Sequence, residues 1–307
     1  MLPETIEAPP LSEDACHHTQ LSEHNVRYPL HQIDAFTTRR FGGNPAAVVL
    51  LDRWLSDDVM LAIAAENNLA ETAFVLADSG EDPIPLRWFA PTVEIDLCGH
   101  ATLATGHVLF ERDPGRGDVI RFATMSGTLS VTRRDGALEL DLPARPAESV
   151  PVTDELVAAL GGARPREAWR ARDLVAVFDR EEEVRALAPD FARIAALDTF
   201  AVCVTARGSQ SDYVLRFFVP KAGVDEDPAT GSSHCTLVPF WAGRLGRTRL
   251  TARQLSARVG EFTCELRGNR VGVAGGTVEY MRGEIVLENP VETAVFGVDS
   301  DGGKAQR

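Results

Sequence analysis

The sequence lacks the marks of most metal and cofactor proteins. Its five cysteines (Cys16, Cys98, Cys203, Cys235 and Cys264) are odd in number, widely spaced and without a Cys-x-x-Cys pair. This disfavours a disulfide framework or a zinc ribbon and suits a reducing cytoplasm. No Gly-x-Gly-x-x-Gly follows a strand-like segment and no Gly-x4-Gly-Lys-Ser/Thr occurs, so dinucleotide and nucleotide cofactors have no support. Residues 1–25 carry no apolar signal core, and no uncharged apolar run reaches the length of about 18 residues that a spanning helix needs. Neither secretion nor a membrane partner is therefore expected. Positive charge is also scarce: 31 Lys and Arg against 45 Asp and Glu leave a formal net charge of −14. That balance excludes the basic footprint required on nucleic-acid phosphates or anionic lipid. An anionic substrate would have to be held locally, by backbone N–H groups or helix starts.

What is present fits a soluble globular chain of two domains, since 307 residues exceed the usual domain of roughly 150. The opening residues 1–25 and the closing residues 299–307 are polar, aperiodic and read as tails. Between them the expected division is 26–145, completed by 286–298, and 146–285, joined at the proline-bearing stretch Pro143 to Val152. Strand-like runs predominate: Ala46 to Leu51, Thr72 to Leu76, Leu86 to Phe89, Thr128 to Thr132, Ala137 to Asp141, Val202 to Ala206, Tyr213 to Val219, Arg270 to Ala274 and Val278 to Met281. Helices are expected after Ser56, with a stripe of Val59, Ile63 and Leu69 stopping near Asn67-Asn68, and over Asp154 to Leu160. Two more should open after Gly99 and Gly231. Many strands with few helices indicate an α+β fold.

The two halves echo each other. Cys98-Gly-His-Ala-Thr-Leu-Ala-Thr-Gly-His107 is matched by Pro228-Ala-Thr-Gly-Ser-Ser-His-Cys-Thr-Leu237, an offset of 130 (228 − 98). Small residues at a helix start admit a ligand to unpaired N–H groups, so two such starts facing each other would form a cleft for a small anion; the plainer reading is two turn glycines. Glu71 stands where a helix gives way to an apolar strand. Flanked by Leu69, Ala70, Ala73 and Phe74, it is either a desolvated acid/base with a raised pKa or an exposed helix-end acid. His100, at a helix start, is expected to be held neutral by the dipole and able to donate to an oxyanion, unless it is simply structural. Asp227-Pro228 reads as an N-cap with proline at N1, and alternatively as a carboxylate that orients a substrate amine or hydroxyl while Ser232 binds its carboxylate. The spacings among Cys98, His100, His107, His234 and Cys235 match no zinc pattern, so no metal is expected.

Taken together, Asp34-Ala-Phe-Thr-Thr-Arg-Arg-Phe-Gly-Gly-Asn-Pro-Ala-Ala-Val-Val49, Leu69-Ala-Glu-Thr-Ala-Phe74, Arg87-Trp-Phe-Ala-Pro91, Asp96-Leu-Cys-Gly-His-Ala-Thr102 and Asp225-Glu-Asp-Pro-Ala-Thr-Gly-Ser232 resemble the PhzF family, in order and spacing, over about residues 28 to 295. The resemblance implies a diaminopimelate epimerase-like fold: two similar α+β domains, each a mixed sheet curled around a central helix, with the active site in the cleft between them. It also implies a homodimer, no cofactor and an isomerase that moves a proton on a small carboxylate-bearing substrate, as the phenazine enzyme does on trans-2,3-dihydro-3-hydroxyanthranilate. Glu71 matches the family's proton-shuttling glutamate. His100 and Asp227 match its other catalytic residues, and Gly99, Ala101, Thr230, Gly231 and Ser232 fall on the substrate-binding stretches. Arg258-Val-Gly-Glu261 departs from the usual glycine-rich pattern. Rival expectations are a racemase or epimerase on the same fold and a non-catalytic small-molecule-binding protein. A two-thiol racemase is disfavoured, because the offset of 130 sets Pro228 opposite Cys98.

Overall fold

The computed structural model describes residues 25–288. The expected tails (save Asn25), Cys16 and most of the expected closing segment 286–298 lie outside them. Residues Tyr28–Glu284 form one unit, and the described residues on either side of it are the outer ends of the first and last strands. In chain order the elements are β1 (Asn25–Ala35), β2 (Asn44–Leu51), α1 (Asp57–Asn67), β3 (Glu71–Leu76), β4 (Ile84–Ala90), β5 (Val93–Ile95), α2 (Gly99–Arg112), β6 (Val119–Thr124), β7 (Gly127–Arg134) and β8 (Ala137–Pro143). There follow β9 (Glu148–Val150), α3 (Asp154–Ala159), β10 (Glu167–Arg170), β11 (Leu174–Val177), α4 (Glu181–Ala186), α5 (Phe191–Ala196), β12 (Val202–Arg207), β13 (Tyr213–Val219) and β14 (Val224–Glu226). The last elements are α6 (His234–Leu245), β15 (Arg249–Gln254), β16 (Gly260–Arg267), β17 (Arg270–Gly275) and β18 (Thr277–Glu288), and β18 pairs with β1.

The sheet is mixed, as expected for an α+β chain. β2–β3, β4–β6, β11–β12 and β13–β15 are parallel, while pairs such as β1–β2 and β3–β4 are antiparallel. Each half curls around one helix. In the first, α2 packs on β2, β3, β7 and β8 and is buried from Gly99 to Gly106 and again from Val108 to Phe110. Such a helix must be small and apolar on all sides. Its threonines are tolerated because Thr102 Oγ1 donates to the Cys98 carbonyl at 2.5 Å and Thr105 Oγ1 to Ala101 at 2.8 Å. In the second, α6 packs on β15, β16 and β17.

Several local expectations need correction. α1 stops at Asn68, as read, with that residue in the left-handed conformation, but its buried face is Met60, Ile63 and Ala64. Those positions share one side at i, i+3, i+4 spacing; Val59 is rotated off it and Leu69 lies beyond the helix. After Gly231 the chain makes a 3-10 turn over Gly231–Ser233 before the α-helix opens at His234. Asp227-Pro228 therefore caps no helix, since Asp227 leaves β14 with its carboxylate bound sideways by Asn44 and Thr230. Within the stretch Pro143 to Val152 the chain forms β9, which runs antiparallel to β10 and is flanked by residues outside any strand.

The residues that depart from the family pattern fix the loop ahead of β2. Asp34, buried at 1% exposure, accepts from Arg258 Nη2 at 2.7 Å and from the Phe41 amide at 2.8 Å. Arg258 also donates to the carbonyls of Gly42 and Gly43. Gly43 needs its missing side chain, because at φ +57° a Cβ would stand 2.0 Å from the Ala35 carbonyl oxygen. Removing Arg258 would strand a buried carboxylate. Arg258→Ala should therefore cost about 3 kcal/mol of unfolding free energy, measured by denaturant titration; a loss under about 1 kcal/mol would show that this clamp is marginal.

Candidate active site

The two helical starts meet at glycines. A Cβ on Gly99 would lie 3.8 Å from the Gly231 Cα, and one on Gly231 would lie 3.0 Å from the Phe36 ring. Gly99 therefore faces Gly231, and the residues before them, Cys98 and Thr230, occupy corresponding places. This corrects the pairing of Cys98 with Pro228: the 3-10 turn moves the second start two residues along the chain. The second position still carries no thiol.

Around this contact lies a cavity of about 640 Å³, lined by Glu71, Gly99, His100, Asp227, Thr230, Gly231 and Ser232. Seven of the eight residues read as site residues thus converge. The eighth, Ala101, is fully buried in the core, because one further residue of helix turns its side chain away from the cleft. The mouth is apolar and open, with Val93, Met125 and Phe200 exposed.

Glu71 reaches the floor because β3 opens directly after the α1 stop, in parallel register with Ala46 of β2, and Asn67 Nδ2 donates to the neighbouring Thr72 hydroxyl at 3.1 Å. Glu71 Oε2 lies 3.0 Å from His100 Nε2. The approach is close enough for an ion pair but misaligned for a hydrogen bond, and both buried atoms lack any other hydrogen-bond partner among the described residues. Buried polar atoms are nearly always bonded, so a pair left open at the base of a cleft is poised for a ligand.

Burial disfavours a charged His100, yet Cys98 on one side and the Glu71 carboxylate on the other hold its pKa well above the ordinary 6.5. Burial, with Glu71 adding to it, pushes the Cys98 thiol up to about 11. Cys98 is therefore uncharged at neutral pH, and Glu71 is the partner that keeps the imidazolium. This overturns the expectation of a dipole-lowered, neutral ring, since a carboxylate at 3.0 Å outweighs the partial charge of a helix end. Burial likewise raises Asp227, with Glu71 adding to the effect and His100 opposing it.

Two polar residues not picked out by the sequence reading complete the site. Asn44, fully buried at the start of β2, places Nδ2 2.8 Å from Asp227 Oδ1, 3.1 Å from the Ala229 carbonyl and 3.2 Å from His100 Nδ1. Gln254, equally buried, accepts from the Thr230 amide at 2.8 Å and donates to the Asp227 carbonyl and the Thr230 hydroxyl. The Gly-Gly-Asn-Pro turn was the available signal for Asn44; Gln254 has none.

Glu71, Cys98 and His100 bring one ligand atom each within 4.8 Å, a clustering that the spacing did not suggest. They do not suit one ion, because Cys98 Sγ stands 3.6 Å from Nδ1 and Glu71 faces Nε2, on opposite nitrogens of the ring.

The model of the phenazine biosynthesis-like proteins matches residues 33–283. The chain belongs to the PhzF family. It is 51% identical over 263 residues to an uncharacterized isomerase of Pseudomonas aeruginosa, covering 85% of this chain and all of that protein. A crystal structure of a PhzF family protein from Enterococcus faecalis is 45% identical, with a TM-score of 0.82 over 85% of this chain and all of that one. A hydroxyproline epimerase from Agrobacterium vitis, at 11% identity and a TM-score of 0.56 over 86% of this chain and 94% of that one, shares the epimerase-like fold alone. The α+β architecture of two similar domains curled around helices with a cleft between is thus the PhzF one. No helix among the described residues is long and apolar enough to cross a membrane.

The raised His100 pKa gives a signed expectation. Below the unfolded value near 6.5 the imidazolium contributes its full stabilisation, which is lost as pH rises through the higher folded value. In Glu71→Gln the raising charge is gone, and the His100 titration followed by NMR should move down; an unchanged midpoint would assign the shift to another group.

Proposed function

We propose that this PhzF-family chain is a cofactor-independent isomerase that moves a proton on a small carboxylate-bearing substrate. The supporting observation is the open Glu71 Oε2–His100 Nε2 pair, buried and 3.0 Å apart beside the Gly99–Gly231 contact. The N–H groups of the two helical starts receive the substrate carboxylate. Glu71, as carboxylate, takes a proton from a carbon next to an unsaturated or carboxylate-conjugated system, into which the electron pair spreads. The resulting acid returns the proton at a second carbon, and no electrons are gained or lost overall. His100, protonated, stabilises the spread charge. Asp227 holds an amine or hydroxyl of the substrate, and Ser232, on the cleft wall, donates to its carboxylate. The family resemblance adds a homodimer without a cofactor, and the cysteine usage, the net charge and the ligand spacings favour a cytoplasmic protein without metal, nucleic-acid or membrane partner.

A two-thiol racemase needs an acid/base on each side of the stereocentre. Here the place corresponding to Cys98 is held by Thr230, which has no thiol, and Cys98 is buried with its thiol raised to about 11. Substrate is sought by screening dihydro-hydroxyanthranilate and related amino and hydroxy acids.

On the substrate found, Glu71→Gln, which keeps the volume and removes the base, should lower turnover by about 10²-fold or more with the fold intact. Comparable activity would remove Glu71 from the mechanism. Cys98→Ala, in contrast, should turn over at a near-normal rate. Abolished activity in a folded Cys98→Ala protein, or inversion of an amino-acid stereocentre by the wild type, would favour the racemase.

A further inference from the structure

In the proposed reaction the base of the cleft receives one carboxylate, an amine or hydroxyl and the reacting carbons. The cavity of about 640 Å³ is larger than that task requires, and it falls within the range of roughly 300–1,000 Å³ of sites that bury a drug-sized ligand. Val93 and Met125 from the first half and Phe200, Phe217, Val219 and Val224 from the second supply apolar walls beyond the base. Among the described lining residues the one Lys or Arg is Arg172, in the turn between β10 and β11.

Arg172 is held in place but half used. Asp173, itself buried, accepts from its Nε at 2.9 Å and its Nη2 at 2.7 Å, and the guanidinium carbon lies 5.4 Å from the centre of the Phe200 ring. Asp173 thus occupies one edge of a planar fork of five N–H donors. Nη1 has no partner among the described residues, and its edge opens into the cleft. Two other arginines of this fold show what that edge accepts. Arg87 holds Glu94 on Nε and Nη2 and Asp57 on Nη1, and Arg267 holds Glu265 on Nε and Nη2 and Glu139 on Nη1 and Nη2. Arg172 has the first carboxylate of such a set and lacks the second. Asp96, which lines the same cavity, makes no ion pair with it among the described residues.

We propose that Arg172 is a specificity-determining residue whose Nη1 edge takes a second carboxylate of the substrate, which is therefore a dicarboxylate with an apolar spacer. One carboxylate sits at the helical starts, the spacer lies along the apolar walls, and the other carboxylate meets the open fork. A carboxylate fits because its two coplanar oxygens match two parallel N–H donors. A phosphate, with more negative charge, is disfavoured by Asp96 and Asp173.

The proposal rests on the proposed function for the seat of the first carboxylate, and calorimetric titration reads the two separately. The probes are 2-aminobenzoate and its derivatives with a chain at ring position 4 or 5, of zero to two methylenes, ending in a carboxylate or in the matching carboxamide. In at least one pair the acid should bind about tenfold or more tighter than the amide, as expected for hydrogen bonds between charged partners. In Arg172→Gln that ratio should fall to about one. Equal binding of acid and amide throughout the series, or a preference that survives in Arg172→Gln, overturns the proposal. Failure of plain 2-aminobenzoate to bind counts against the seat at the helical starts, while an acid preference lost with Arg172 stands without it. If Arg172→Gln does not fold, Arg172→Lys replaces the fork by a point charge that Asp173 already claims: a reduced preference supports the proposal and an unchanged one overturns it.

Discussion

The close approach of Gly99 to Gly231 is the constraint on which the site depends. Two helical starts can point their unpaired N–H groups at one small anion only if their first residues carry no side chains at the contact. The fully buried α2, with its alanines and self-satisfied threonines, follows from the same need, because the helix must lie deep in its half to present its end at the cleft. In the proposed reading, a protein of net charge −14 makes a seat for a carboxylate from backbone dipoles, where its overall field would repel one.

The second layer is polar, buried and shared between the halves. Asn44 comes from the first half and bonds to Asp227 and Ala229 of the second; Arg258 comes from the second and holds Asp34 and the turn before Asn44 in the first. These links cost desolvation and return little net stability, but they fix the positions of the proposed acid/base groups. The Glu71–His100 pair differs from these links: its two buried atoms lie at ion-pair distance without a completed hydrogen bond.

Much of this was legible in the sequence. The apolar strands Tyr213–Val219 and Glu71–Leu76 stand out by composition, and Asn68 ends α1 where the helix stop was expected. Glu71, His100, Asp227 and the glycines were placed by motif. β1 escaped notice because its burial alternates poorly, with charged and polar residues among the apolar ones. Asn44 and Gln254 were invisible as site residues since their role lies in contacts with residues up to 185 positions away. Ala101 was misplaced because a motif gives spacing but not helical rotation, and His100 was misread because its nearest charge, Glu71, is adjacent only in space. Arg258 looked like a loss of pattern and is in fact a clamp.

The most direct measurement is a crystal structure with a small ring carboxylate that bears an amine. The account predicts its carboxylate oxygens on the backbone N–H groups of the Gly99 and Gly231 starts, its amine at Asp227, and a ring carbon within reach of Glu71 Oε2. A carboxylate bound instead to Arg172 at the cleft wall, with both helical starts bare, would contradict it.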